Sequence, residues 1–342
     1  MKGFFRGVGT ALITPFREKG VDFCCMERLI ERQIKGGADA LIVLGTTGEP
    51  ASMTEKEKRA VMEFSVKTVK KYTARLTEER GADNTDNTDN AGGADNANGA
   101  VHNGEENRRI KLIFGCGSNC TATAVKNARL AEELGADGLL AVTPYYNKCT
   151  QKGLYLYYKA ICEAVHIPVV AYAVPSRTGV NLAPKTMADI SELPRMAGLK
   201  DACGNMAQTL ETMRLTRNNC DVYSGEDALN LPVLFSGGAG VISVVSNLAP
   251  KAVKALYLAA ERGDFAEAIK INDLLSPLTA ACFSEVNPIP VKAALNALGY
   301  FCGAPRAPLT PLEKEHETLL KRVIEETKRR AAEENVCGGE VF

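Results

Sequence analysis

The sequence predicts an α/β protein built as a closed (β/α)8 (TIM) barrel followed by a C-terminal helical region. Three observations lead there. Short runs rich in Val, Ile and Leu alternate with longer stretches of helical period, which is the signature of βα units around a parallel sheet. These runs number about eight, the count that closes such a barrel. Beyond the last of them the chain reads as helices only, and its 342 residues exceed the ~250 of a typical barrel by enough to supply the extra region.

Each element rests on local chemistry. Val8–Ile13 starts the series. Asp22 is placed to cap a helix whose Met26, Leu29, Ile30 and Ile34 share one face, and Gly36-Gly37 supplies the positive φ that ends it. Ala40–Leu44 follows as the second strand. Thr54 and Glu57 have the spacing of a capping box and open a helix carrying Ala60, Val61, Phe64 and Val69. Further strands are expected at Leu112–Phe114, Leu139–Val142, Val169–Ala173, Ala197–Lys200, Val222–Ser224 and Val241–Val245. Gly37-Ala38-Asp39 and Gly135-Ala136-Asp137 echo one another before strands two and four, each with a glycine that ends a helix and turns tightly into a strand. Helices are expected at Ala252–Arg262, Phe265–Leu275, Pro290–Leu298 and Pro311–Glu334. The organisation is therefore a barrel over residues 1–248, and a last barrel helix with the helical region over 249–342. An insertion at about 74–109 interrupts the barrel: Gly81–Ala100 contains only Gly, Ala, Asp, Asn and Thr, has nothing with which to build a core, and reads as disordered.

Composition narrows the function. Lys plus Arg total 41 and Asp plus Glu total 41, a formal charge of zero, which gives no electrostatic drive toward nucleic acid or an anionic membrane. No apolar run approaches the ~18 residues of a membrane span, and Met1–Arg6 lacks the apolar core of a signal peptide, so a cytosolic protein with small-molecule partners is expected. The eleven cysteines form no Cys-x-x-Cys pair, and residues such as Cys24, Cys25, Cys162 and Cys302 sit in apolar contexts that suit reduced, buried thiols. His102, His166 and His316 fall in the insertion, before a strand and in the terminal helix, so neither a metal cluster nor a Ser-His-Asp triad is expected. A dinucleotide-binding Gly-x-Gly-x-x-Gly after the first strand is missing.

In a barrel, reactive groups belong at the C-terminal ends of strands. Gly45-Thr46-Thr47-Gly48-Glu49 follows the second strand; its amides and hydroxyls suit a carboxylate, a phosphate or simply a tight turn. Tyr145-Tyr146-Asn147 follows the fourth strand, and Tyr172 ends the fifth, ahead of Ser176-Arg177-Thr178-Gly179. Lys200 ends the sixth, where burial disfavours the ammonium and favours a neutral amine able to attack a carbonyl; a surface lysine is the alternative. Gly225-Glu226-Asp227 and the glycines of Gly237–Ser243 fit a phosphate site or backbone clearance beside a ligand.

Together, Gly45–Glu49, Thr143–Asn147, Tyr172 with Val174–Gly179, Gly198-Leu199-Lys200 and Asn287–Lys292 resemble the 4-hydroxy-tetrahydrodipicolinate synthase (dihydrodipicolinate synthase) family of Schiff-base lyases, in the family's order from about Gly7 to Pro311. The resemblance implies condensation of pyruvate with L-aspartate 4-semialdehyde in diaminopimelate and lysine synthesis, in a homotetramer built as a dimer of dimers, with no cofactor and no metal. It implies that Lys200 forms the Schiff base, that Tyr172, Thr46 and Tyr146 relay protons, and that Thr47 binds the pyruvate carboxylate. Arg177 would hold the carboxylate of the aldehyde, Gly225 and Ile242 would line the site through their backbone, and Tyr145 would lie at the dimer interface. Ala173 and Asp201-Ala202-Cys203 depart from the family's usual Asn and Glu-Ala-Thr without removing a reactive group. N-acetylneuraminate lyase shares the lysine and tyrosine but lacks an arginine at the position of Arg177. Where lysine-sensitive relatives carry two histidines and a glutamate, this chain has Glu55, Lys58 and Thr123, which implies weak or no inhibition by L-lysine.

Overall fold

The computed structural model describes the backbone of residues 2–83 and 109–342 and the side chains of 2–75 and 109–342. In chain order it contains β1 (Gly7–Ala11), a small antiparallel hairpin of β2 (Phe16–Arg17) and β3 (Gly20–Val21), α1 (Phe23–Lys35), β4 (Ala40–Val43), α2 (Glu55–Asp83), β5 (Lys111–Gly115), α3 (Thr121–Glu133), β6 (Gly138–Val142), α4 (Gln151–Ala164) and β7 (Val169–Ala173). There follow α5 (Pro175–Thr178), α6 (Pro184–Ser191), β8 (Met196–Asp201), α7 (Met206–Thr216), β9 (Asp221–Ser224), α8 (Asn230–Phe235), β10 (Gly240–Ser243), α9 (Pro250–Glu261), α10 (Phe265–Cys282), α11 (Ile289–Ala297) and α12 (Lys314–Glu333). Eight of the strands close into one parallel barrel in the order β1-β10-β9-β8-β7-β6-β5-β4, with β4 returning to pair with β1. Every expected strand is present.

The local signals act as their chemistry dictates. Asp22 caps α1 by accepting from the Cys25 amide, and Met26, Leu29, Ile30 and Ile34 are all buried. Gly37, at φ +82°, takes the left-handed turn into β4. The capping box is closed both ways: the Glu57 amide donates to Thr54 Oγ1 at 3.2 Å, and Glu57 Oε2 accepts from the Thr54 amide at 2.9 Å. Most barrel strands are buried along their whole length, as parallel strands with covered faces must be.

Three features depart from the expectation. Helix α2 continues to Asp83, past the boundary near residue 74, because the sequence through Arg80 is rich in helix formers and meets no glycine or proline before Gly81. The expected disorder of Gly81–Ala100 falls almost wholly on residues outside the described ones. Helix α10 runs on to Cys282 through Pro277. A proline there leaves the carbonyl four residues back without its amide donor, and that carbonyl, of Asp273, accepts instead from Arg330 Nη1 of α12 at 3.4 Å. All eleven thiols are free, but Cys24 and Cys120 are exposed rather than buried.

The helical region is bolted to the C-terminal end of the barrel by charge. Lys292 of α11 is 0 % exposed and donates to Glu49 Oε1 at 2.8 Å, to the Thr14 carbonyl at 3.1 Å and to the Ala304 carbonyl at 3.2 Å. Glu49 Oε2 accepts the Arg306 amide at 2.8 Å. Removing one partner of a buried pair strands the other charge and typically costs about 3–5 kcal/mol. Arg306 stacks 4.1 Å from the Phe16 ring centroid and grips both oxygens of Glu57, tying the same loop to the first turn of α2.

The Arg306 guanidinium, with the Thr54 amide and hydroxyl, holds the Glu57 carboxyl down at about 2 from an ordinary 4.5. The unfolded chain thus takes up that proton first, so the stabilisation is complete above about pH 4.5 and is lost as the pH falls toward 2. Urea midpoints of the parent protein and Glu57→Gln, measured from neutrality down to about pH 2, should differ at neutral pH and converge at the acid end. Parallel curves would show that the pair contributes no pH-dependent stability.

Candidate active site

A cavity of about 900 Å³ opens at the C-terminal ends of the strands. Its walls come from the loop after β4 (Gly45, Thr46, Glu49), the loop after β6 (Tyr145, Tyr146), the end of β7 and α5 (Tyr172, Arg177), and the C-terminal region (Asn287, Arg306). Among the residues singled out from the sequence, Thr46, Tyr145, Tyr146, Tyr172 and Arg177 therefore line it directly. Thr47, Lys200 and Gly225 are not among its lining residues.

Lys200 is 4 % exposed, with its Nζ 4.4 Å from the centroid of the Tyr172 ring. The pairing of β7 with β8 shifts register between Val169 and Val170, so that Val169 faces Met196 while Tyr172 faces Lys200. An unshifted ladder would set Tyr172 against Leu199 and turn it to the other face of the sheet from Lys200. The bulge thus brings the phenol and the amine together. Gly225 makes room for the lysine, since a Cβ there would stand 2.8 Å from Lys200 Cγ and 2.9 Å from its Cε.

The two buried lysines at this end of the barrel contrast sharply. Lys292 is satisfied by three oxygens, whereas Lys200 has no hydrogen-bond or ion-pair partner among the described residues. Lys292 thus ties separate segments together, whereas Lys200 ties none among the described residues. Glu226, half-buried in the next loop, lies within the electrostatic reach of both Lys200 and Arg177; burial and the neighbouring Asp227 push its carboxyl up. The Gly225-Glu226-Asp227 triplet suggests a phosphate site or backbone clearance, and nothing in it announces a half-buried carboxylate.

The loop carrying Thr46 and Thr47 is held rigidly. It makes two consecutive 3₁₀ turns, Thr46–Gly48 and Pro50–Ser52, hinged on Glu49 at φ 54°. A left-handed conformation costs a non-glycine residue about 1–2 kcal/mol, and the bonds from Lys292 and Arg306 to the Glu49 carboxylate hold it there. Thr47 is buried, and its Oγ1 accepts from Asn287 Nδ2 at 2.9 Å. Arg177, exposed on α5, donates from Nη2 to the Asn287 carbonyl at 3.1 Å and leaves the rest of its fork open to the cavity.

Two residues stand differently from the rest. Ile242 is buried on β10 opposite Gly9, close to where a Cβ on that glycine would lie, and does not line the cavity. Tyr146 is 89 % exposed at φ 68°, so its hydroxyl is not packed against the other candidate groups within this chain. Among the described residues no group of three or more His, Cys, Asp or Glu is arranged for a metal ion, and no helix is long and apolar enough to cross a membrane. His166 and His316 pair with Glu132 and Glu285 away from the cavity lining, while His102 lies outside the described residues.

Comparison with known proteins places this arrangement. The profile of the dihydrodipicolinate synthetase family matches residues 4–103 and 100–327. The 4-hydroxy-tetrahydrodipicolinate synthase of Alkaliphilus oremlandii is 41 % identical over 326 residues, covering 95 % of this chain and 99 % of its own. The crystal structure of dihydrodipicolinate synthase from Thermotoga maritima superposes with a TM-score of 0.82 at 39 % identity, over 95 % of this chain and 99 % of its own. That of the enzyme from Cyanidioschyzon merolae with lysine bound gives 0.81 at 32 % identity, over 95 % and 98 %.

The clearance at Gly225 is testable by itself. Gly225→Ala should displace the Lys200 stem, since the new Cβ would also stand 3.0 Å from the Asp201 carbonyl, and such overpacking typically costs about 1–3 kcal/mol. The expected result is a modest fall in Tm together with a large loss of borohydride trapping of a carbonyl probe on Lys200. Unchanged trapping would mean that the lysine does not need this space.

Proposed function

The chain belongs to the dihydrodipicolinate synthetase family, and from that premise we propose that it is a 4-hydroxy-tetrahydrodipicolinate synthase, a lyase that condenses pyruvate with L-aspartate 4-semialdehyde in the diaminopimelate and lysine pathway of the cytosol. The observation that carries this reading is the Lys200 amine, buried at a strand end against Tyr172 and without a protein partner among the described residues.

The chemistry follows from that amine. The Lys200 amine attacks the pyruvate carbonyl, and loss of water leaves an iminium whose positive nitrogen withdraws electrons from the adjacent methyl group. A methyl proton passes to the neighbouring hydroxyls, the resulting enamine carbon attacks the aldehyde of the second substrate, and the aldehyde oxygen takes a proton to become a hydroxyl; the amino group of that substrate then attacks the regenerated iminium carbon, closing the ring and releasing the Lys200 amine. Proton movement needs hydroxyls near the amine. Tyr172 is in contact and Thr46 lines the same cavity. Tyr146, exposed in one chain, fits a relay completed when subunits associate, with Tyr145 at that interface; a homotetramer is the assembly we propose. Thr47 offers its amide and hydroxyl to the pyruvate carboxylate. Arg177 offers two parallel hydrogen bonds to the carboxylate of the aldehyde. Gly225 contributes clearance and backbone, and Ile242 backbone only.

Incubation with pyruvate and borohydride, followed by peptide mass spectrometry, should place one adduct on Lys200, and turnover should require aspartate semialdehyde. Lys200→Arg should abolish both, because a guanidinium stays protonated and supplies no nucleophile. An adduct on another residue in active protein would overturn the assignment. Cleavage of N-acetylneuraminate in place of aspartate semialdehyde turnover would move the chain to that lyase activity, against which Arg177 argues.

The outer part of the cavity bears on regulation. Glu55, Lys58 and Thr123 line it, and Lys58 Nζ already pairs with Glu55 Oε1 at 2.8 Å. The carboxylate available to an incoming ammonium is thus neutralised from within the chain, and Thr123 supplies no charge. Losing a charge-assisted partner typically removes about 1.5–3 kcal/mol, or roughly ten- to a hundredfold in affinity. Steady-state rates at saturating pyruvate should stay nearly flat as L-lysine is raised through concentrations that fully inhibit sensitive relatives. Strong cooperative inhibition would show that another group has rebuilt the effector site.

A further inference from the structure

We propose that Asn287 is a positioning residue that commits the Thr47 hydroxyl to donate toward the keto-acid carboxylate, while its main-chain carbonyl sets Arg177 for the second substrate; the inference rests on the reading of the site given above. Asn287 stands two residues before α11, lines the cavity and is only 6 % exposed. Its Nδ2 donates to Thr47 Oγ1 at 2.9 Å. A carboxamide NH2 group can only donate, so the Thr47 oxygen is the acceptor and its single proton remains for something else. No protein acceptor takes that proton among the described residues. A buried hydroxyl that already accepts from the protein, and whose proton no group among the described residues takes, is arranged to donate to an anionic ligand.

The second half of the argument is geometric. The carbonyl of the same residue accepts from Arg177 Nη2 at 3.1 Å. One asparagine therefore spans the two groups assigned to the two substrate carboxylates, through its side chain for one and its backbone for the other. The side-chain oxygen Oδ1 is buried with no hydrogen-bond partner among the described residues, an unfavourable state for an acceptor that an N–H or O–H of a bound ligand would relieve.

The division between side chain and backbone makes the inference separable from a structural role. Asn287→Asp keeps the shape but replaces the donor by an acceptor, so the Thr47 proton should turn away from the ligand and toward the new carboxylate. Pyruvate affinity, read from the concentration dependence of borohydride trapping on Lys200, should weaken about tenfold or more at neutral pH, and recover as the pH falls and the new carboxyl protonates. KM for aspartate semialdehyde should move much less, since the backbone carbonyl remains. Asn287→Ala should weaken pyruvate severalfold in the parent but have little further effect in a Thr47→Val background, the signature of a shared interaction. Unchanged pyruvate affinity in Asn287→Asp would overturn the proposal. So would both KM values and Tm shifting together without pH dependence. Failure of the parent protein itself to trap pyruvate on Lys200 would overturn the functional reading and this inference with it.

Discussion

The buried pair between Lys292 and Glu49 is the constraint on which the catalytic end of this barrel depends. It does not define the barrel, which follows from eight apolar strands and the helices that cover them. It defines the surface on top. Glu49 closes the Gly45–Glu49 loop in a left-handed conformation that its sequence does not favour, and the loop carries Thr46 and Thr47. Lys292 belongs to α11, and the segment leading into that helix carries Asn287. An ion pair taken out of water adds little net stability compared with an apolar pair of the same shape, but it is intolerant of misplacement because either charge left alone is costly. That intolerance fixes the relative position of two chain segments more than 200 residues apart.

The same reasoning explains why the second buried lysine behaves differently. Lys292 sits where three oxygens converge and the Phe16 ring lies 4.4 Å away; desolvation depresses its ammonium, and Glu49 opposes that shift. Lys200 sits against a phenol ring, with a glycine opposite its stem. Identical side chains thus receive opposite treatment within one end of the fold, one saturated with acceptors and the other kept short of them. The two lysines differ in their supply of hydrogen-bond partners, not in depth of burial.

What could be read from the sequence follows the range of the forces involved. The strands, the capping box at Thr54 and Glu57 and the Asp22 cap depend on neighbours within a few residues, so their signals are local and the structure contains them. Lys200, Tyr172 and Arg177 stand at or just after strand ends, but each taken alone leaves a structural reading open, and their proposed roles come from the family resemblance of the motifs taken together. The register shift that turns Tyr172 toward Lys200 could not, since it is decided by how two strands pair. Nor could the passage of α10 through Pro277, which depends on an arginine 53 positions away supplying a donor to Asp273. The hairpin of β2 and β3 was too short to carry a periodic signal, although its Phe16 ring packs beneath both Lys292 and Arg306.

These contacts also change what the helical region is. A boundary near residue 248 is sensible by sequence, because strands end there and helices continue. By chemistry the division dissolves. Asn287 reaches Thr47 and Arg177, Lys292 and the Arg306 amide hold Glu49, and the Arg306 guanidinium holds Glu57. A barrel alone presents eight loops whose ends are free to move with their own entropy, and a pocket with the proposed task of aligning an amine, a phenol and two carboxylate-binding groups tolerates little such freedom. The cheapest restraint on short loops is contact with a rigid element that crosses over them. Helix α11 and the segments on either side of it make that contact through polar bonds at defined distances, so the C-terminal region is as much part of the site as the strand that carries Lys200.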